Sequence, residues 1–93
     1  LAFGVTTLHN PSATTEQVFF ESELLRSGSR LGPRTLSTGT IIYGAGGSLH
    51  QEIGSLEVAL QVLRRHQAYG AQSVKSYNQP QRYARQMVLQ AAR

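Results

Sequence analysis

Ser55-Leu56-Glu57-Val58-Ala59-Leu60-Gln61-Val62-Leu63-Arg64-Arg65-His66-Gln67-Ala68-Tyr69-Gly70-Ala71-Gln72-Ser73-Val74-Lys75-Ser76-Tyr77 runs from a helix start, through a glycine stop, into an extended run. Leu56, Ala59, Leu60 and Leu63 repeat at i, i+3, i+4 and i+7, the period of a helix with one buried stripe. Ser55 precedes them as an N-cap, and Gly70 stands where a left-handed C-cap belongs. Residues 73–77 follow at once and read as a strand. A helix that turns through glycine into a strand is half of a β/α unit.

Outward from this stretch the pattern recurs. On the N-terminal side, Thr14 and Gln17 have capping-box spacing, and residues 16–27 read as a helix carrying Val18, Phe19, Leu24 and Leu25 and stopped by Gly28. On the C-terminal side, Pro80 suits the first turn of a third helix, in which Tyr83, Ala84, Met87, Val88 and Ala91 share one face. Residues 5–8 and 34–38 are the other two expected strands. The order strand, helix, strand, helix, strand, helix predicts right-handed crossovers and a parallel sheet covered by helices, an α/β architecture. Residues 39–54 make an unusually long connection after a strand, and long loops there tend to serve a site.

Composition bounds what such a chain can do. Its 93 residues suffice for one small domain, residues 1–93, with a modest core. Hydrophobic residues at 40% and charged residues at 15% indicate a globular chain rather than a disordered tail or a membrane protein. No run approaches the ~20 apolar residues of a membrane helix, so no membrane partner is expected. The absence of cysteine excludes thiol chemistry and thiolate zinc sites. The net charge of +4 comes from scattered arginines, without aromatic interleaving or a nucleic-acid motif, and no nucleic-acid partner is expected. Aspartate is missing altogether, and Lys75 is the only lysine beside eight arginines.

Leu1-Ala2-Phe3-Gly4 matches Gln67-Ala68-Tyr69-Gly70 in style, so the chain is expected to begin in the last turn of a helix and to end inside another, a fragment truncated at both ends. Three parallel strands with two open edges are not expected to be stable alone. The expected partners are therefore further copies in a homo-oligomer, or the remainder of a parent domain.

Three segments carry a family resemblance: Gly4-Val5-Thr6-Thr7-Leu8-His9-Asn10-Pro11-Ser12; Gly32-Pro33-Arg34-Thr35-Leu36-Ser37-Thr38-Gly39-Thr40-Ile41-Ile42-Tyr43-Gly44-Ala45; and, most specifically, Val74-Lys75-Ser76-Tyr77-Asn78-Gln79-Pro80. Together they resemble the metal-dependent amidohydrolase superfamily, in its imidazolonepropionase-like and Tol-propeller-associated branch. The resemblance implies a (β/α)8 TIM-type barrel, of which this chain would supply about three consecutive β/α units. It further implies hydrolysis of an amide-type C–N bond in a cyclic or peptide-like small molecule, by water activated on a divalent metal such as zinc. It suggests an exported or cell-envelope parent. Lys75 falls at the fourth-strand position where many members carry a carbamylated lysine bridging two metals. The family's His-x-His pair, its later histidines and its aspartate have no counterpart, and Gln81 precedes Arg82 where two arginines are usual. The chain alone is therefore expected to be catalytically incomplete and to bind no metal tightly.

Single residues admit plainer readings. From composition alone Lys75 is a solvated or helix-pairing amine. His9 is a candidate for facing substrate or for closing the turn at Pro11-Ser12. His50, in the long connection, is a second substrate-facing candidate, whereas His66 is expected to complement the helix dipole. Gly44-Ala45-Gly46-Gly47-Ser48 lacks the lysine of a phosphate loop and reads as a flexible connection. Arg64, Arg65, Arg82 and Arg85 read as solvated helix faces, and Glu52 and Glu57 carry no catalytic role. A separate possibility is a non-enzymatic α/β domain that self-associates through its open sheet edges.

Overall fold

The computed structural model describes residues 1–44, 50–79 and 81–93. Its elements are β1 (Thr7–Asn10), α1 (Thr15–Arg26), β2 (Arg34–Ser37), β3 (Ile41–Tyr43), β4 (His50–Gln51), α2 (Leu56–Tyr69), β5 (Ser76–Tyr77) and α3 (Arg82–Ala91). The chain is thus mixed α/β, and every strand pairing among the described residues is parallel. Pro80 and residues 45–48 of the glycine-rich connection lie outside the described residues.

α2 forms as its sequence dictates. The Ser55 hydroxyl accepts from the Val58 N–H at 3.2 Å. At the other end Gly70 adopts φ +104°, its N–H donates to the Gln67 carbonyl and the Ala71 N–H donates to the His66 carbonyl, a Schellman closure. Gly4 repeats part of it, with φ +78° and an N–H donated to the Leu1 carbonyl.

α1 departs from expectation at its start. Thr14 is the N-cap residue, yet its side chain makes no cap bond, and Gln17 donates instead to Glu21 one turn on. The next hydroxyl takes the structural role. Thr15, 2% exposed, shares a hydrogen bond with the Thr40 hydroxyl and accepts the Thr40 N–H at 2.9 Å.

That contact explains the principal correction to the sequence reading. The expected single sheet is two: β1 with β2, and β3 at the centre between β4 and β5. The segment joining β2 to β3 passes through Gly39 at φ +69°; Thr38 N–H still donates to the Asn10 carbonyl, and the next two backbone donors go to side chains rather than to a ladder. Gly39 N–H donates to the Ser37 hydroxyl at 3.0 Å, and Thr40 N–H donates to Thr15. Buried backbone groups must be paired somewhere, and here hydroxyls satisfy them at the break. Residues 39–54 are consequently not one long loop. They contain β3, built on Ile41-Ile42-Tyr43, and the short β4. The outer strands also shift: the first spans Thr7–Asn10, and the last shrinks to Ser76–Tyr77.

The core lies under α2 and α3. Ile42, Ile53, Ala59 and Val88 form a buried cluster flanked by Val58, Val62, Leu63, Val74, Met87 and Ala91. Ala84 and Val88, one turn apart, are the buried residues of α3. Ile42 and Val88 are the largest fully buried side chains among the described residues. Among those residues no helix is long and apolar enough to cross a membrane.

Candidate functional site

Strand register places the chemistry. Ile41 is paired with His50, Tyr43 with Tyr77, and the Ile42 N–H donates to the Lys75 carbonyl. Side chains alternate between the two faces of a strand. His50, Tyr43, Lys75 and Tyr77 therefore project on one face with Ile41, and Ile42 projects on the other. Ile42 is buried among α2 and α3. The polar and aromatic residues thus belong to the face turned away from those helices. Lys75 and His50 flank Ile41 in one row, roughly 9–10 Å apart as two strand spacings.

On that face the side chains make a continuous line. The His50 ring meets Tyr43 edge-on, with centroids 4.7 Å apart, and Tyr43 meets Tyr77 at 5.3 Å. The Lys75 ammonium sits 5.3 Å from the Tyr77 ring centroid, within cation–π range. His9 joins through Ser73, whose hydroxyl lies 3.4 Å from its Nε2. Ser73 precedes Lys75 by two residues, so His9, on the β1–β2 sheet, approaches the segment that leads into Lys75. A row of aromatic rings ending in a cation can hold a flat ring by stacking and an anionic substituent by charge.

Lys75 stands one residue before β5 rather than inside it, half-buried and with its ammonium on an aromatic ring. The donors for a metal centre are few. Among the described residues no group of three histidine, aspartate or glutamate side chains is placed to hold a metal ion. The described residues do not by themselves complete a zinc or two-metal centre.

His66 is the residue the sequence reading misplaced. It is 4% exposed, and burial, seconded by the Arg65 charge, lowers its pKa from 6.5 against the opposing pull of Glu16. Held neutral, it has no positive charge with which to complement the dipole of α2. The stripe Ala59, Val62, Leu63, His66 places His66 on the inward side of the helix, which was the available signal. Arg64, Arg65, Arg82 and Arg85 are exposed as expected, and Arg65 pairs with Glu16 across α1 and α2.

Two larger clefts, of ≈ 690 and ≈ 740 Å³, contain none of His9, His50 or Lys75. They border Thr7 and Arg34 in one case and Ser73 and Val74 in the other, at or just before the N-terminal ends of the strands, and His66 also lines the second.

No family model matches the chain, and neither a curated protein nor a solved structure matches it.

Proposed function

We propose that residues 1–93 are part of a larger (β/α)8 barrel of a metal-dependent, amidohydrolase-like hydrolase, to which they contribute one wall of the active-site mouth. One observation carries this reading: Lys75, Tyr77, Tyr43 and His50 share the sheet face opposite the α2 and α3 core. In a β/α barrel the helices lie outside and the opposite face of the strands lines the interior, with catalysis at the C-terminal ends of the strands. Tyr43 and Tyr77 end β3 and β5, and His9 is next to last in β1. The resemblance of Val74-Lys75-Ser76-Tyr77-Asn78-Gln79-Pro80 to the family motif supplies the hydrolytic activity, on an amide-type C–N bond of a small molecule. Lys75 would be one ligand of the metal, and the remaining ligands would come from outside these residues.

The test is metal content. In the full protein encoded around residues 1–93, Lys75→Ala is expected to lower bound divalent metal at least severalfold while the circular dichroism spectrum is kept. Unchanged metal content removes the assignment.

A second reading, a module that buries its open face against copies of itself, is favoured by its surface. The chain exposes 6442 Å², whereas a compact chain of this mass exposes about 5,300 Å². Its radius of gyration is 14.5 Å, against about 12 Å for a compact domain of this length. The excess of roughly 1,100 Å² is of the order that one partner contributes to a stable interface, about 800 Å². Light scattering coupled to size exclusion distinguishes the readings: a discrete oligomer of the 93-residue chain favours self-association, and aggregate or unfolded chain favours the barrel.

A further inference from the structure

On the α1 and α2 side of the sheet lies a cavity of ≈ 210 Å³ that shares only His50 with the row described above. Its wall takes Thr14, Thr15 and Glu16 from the start of α1, Thr40, His50 and Gln51 from the sheet, and Val62, Arg65 and His66 from α2. Three features converge there. The first is the start of a twelve-residue helix without a side-chain cap. Its first-turn N–H groups have no intrahelical acceptor, and the N-terminal end of the helix dipole is positive. The second is a histidine in the wall, His66. The Nδ1 atom of His66 is buried and has no hydrogen-bond partner among the described residues. His66, at 4% exposure, cannot recover that bond from bulk water. A buried nitrogen of this kind calls for an ordered water or a ligand. The third is Arg65, in the same wall, whose guanidinium pairs with Glu16 while both side chains remain about half exposed. Pairs so exposed are weakly held and exchange partners readily.

The chemistry of this donor set selects the ligand. Amide N–H, imidazole and guanidinium groups are the donors that recognise oxyanions, and helix N-termini bind phosphate through the same groups. Glu16 is the one carboxylate in the wall, and no three-ligand set for a cation exists among the described residues. A volume of ≈ 210 Å³ equals the share of about seven waters in the liquid, room for a tetrahedral oxyanion with a few waters.

We propose that this cavity binds a small oxyanion of the phosphate class, held by the first-turn N–H groups of α1, by the His66 imidazole and by Arg65, which exchanges Glu16 for the anion. The site meets the hydrolase reading only at His50, and the groups that hold the anion come from α1 and α2 rather than from the row ending in Lys75 and Tyr77.

Titration of the chain with inorganic phosphate tests it, at constant ionic strength with chloride as the control anion, followed by calorimetry and by the ¹⁵N resonances of the imidazoles. The expected result is saturable binding of one phosphate per chain with a displacement of the His66 Nδ1 resonance. Arg65→Gln removes a charged donor and is expected to weaken binding by about tenfold. Glu16→Gln frees Arg65 from its competitor and is expected to tighten binding by about threefold. Both residues are half exposed, so both variants keep the fold. A response that chloride reproduces, an absence of saturation, or equal affinity in wild type and Arg65→Gln overturns the proposal and leaves a cavity that holds only water.

Discussion

The two halves of this chain are held together by different forces. In the C-terminal half, Ile42, Ile53, Ala59 and Val88 close an apolar cluster beneath α2 and α3. In the N-terminal half, Val18 and Phe19 are buried alongside four polar residues, Thr15, Ser22, Ser37 and Thr38. There, hydroxyls replace the missing hydrocarbon. The Ser22 hydroxyl donates to the Thr35 carbonyl at 2.9 Å, tying α1 to β2, and the Ser37 hydroxyl donates to the Asn10 carbonyl at 2.7 Å, tying β2 to the end of β1. Hydrogen bonds fix position well but contribute only about 1 kcal/mol each after exchange with water, whereas burial of a large aliphatic side chain contributes about 1.5–3 kcal/mol. The C-terminal half therefore supplies stability, and the N-terminal half supplies register. The N-terminal half also leaves Phe3 98% and Leu31 94% exposed, and Val5 and Phe20 face solvent as well. Apolar side chains in water on the weaker half mark where covering protein would add most.

The sharpest way to break this contrast is at its apolar end. Ile42→Ala removes the largest side chain from the face that meets α2 and α3, and such truncations cost about 2–5 kcal/mol. Against the 5–15 kcal/mol total of a typical small domain, roughly speaking, that is a large fraction, and it is expected to appear as a marked fall in the urea midpoint. A loss below about 1 kcal/mol would mean that the helices are not seated on β3.

The polar end is tested at Gly39. A Cβ there would lie 2.7 Å from the Thr15 hydroxyl oxygen, the atom that accepts the Thr40 N–H, and φ is +69°. Gly39→Ala combines left-handed strain with displacement of that hydroxyl, an expected cost of about 2–3 kcal/mol. Thermal unfolding monitored by circular dichroism checks it. Equal stability of Gly39→Ala and wild type would remove the hydroxyl tie as the cause of the break between β2 and β3.

How far the sequence carries this picture depends on which force acts. α2 is legible from its cap, its stripe and its glycine, because each is a local signal and all agree. The start of α1 is not. Thr14 and Gln17 have the spacing of a capping box, but adjacent Thr15 reaches Thr40, twenty-five residues away, and no local rule anticipates that contact. β3 did carry a signal, since Ile41-Ile42-Tyr43 between Gly39 and Gly44 is a β-branched and aromatic run bounded by glycines. Its parallel partner β5 lies more than thirty residues on, so only tertiary pairing completes it. For the candidate site, the interest of Lys75, His50 and His9 could be read from residue type, but the common side of Lys75 and His50 comes from register, and the approach of His9 comes from its contact with Ser73. His66 shows the converse: its place on the inward stripe was readable, whereas its unpartnered Nδ1 was not.

Acid should weaken the junction between the halves by way of His66. Burial lowers its folded-state pKa below 6.5, so the folded protein resists protonation that the unfolded chain accepts. The stabilising contribution is complete above about pH 6.5 and is lost as the pH falls through that value toward the lower folded-state pKa. Urea midpoints measured between about pH 7.5 and 5.5 are expected to decline more steeply for wild type than for His66→Gln. Parallel declines would show that the ring is free to take up a proton in the folded state.

The smallest expected effect bears most directly on function. Lys75 is half-buried on the face away from α2 and α3, its ammonium over the exposed ring of Tyr77. Its backbone carbonyl, not its side chain, accepts the ladder bond from Ile42. Substitution by alanine removes an exposed cation–π contact worth about 0.5–1 kcal/mol and nothing from the core, so Lys75→Ala is expected to move the urea midpoint by no more than that. The contrast with Ile42→Ala then separates the two faces of one short sheet, one needed for folding and one available for chemistry. A loss above about 1.5 kcal/mol would place Lys75 among the structural residues. The face it occupies would then be part of what holds the chain together, and the hydrolase reading would lose the residue on which it depends.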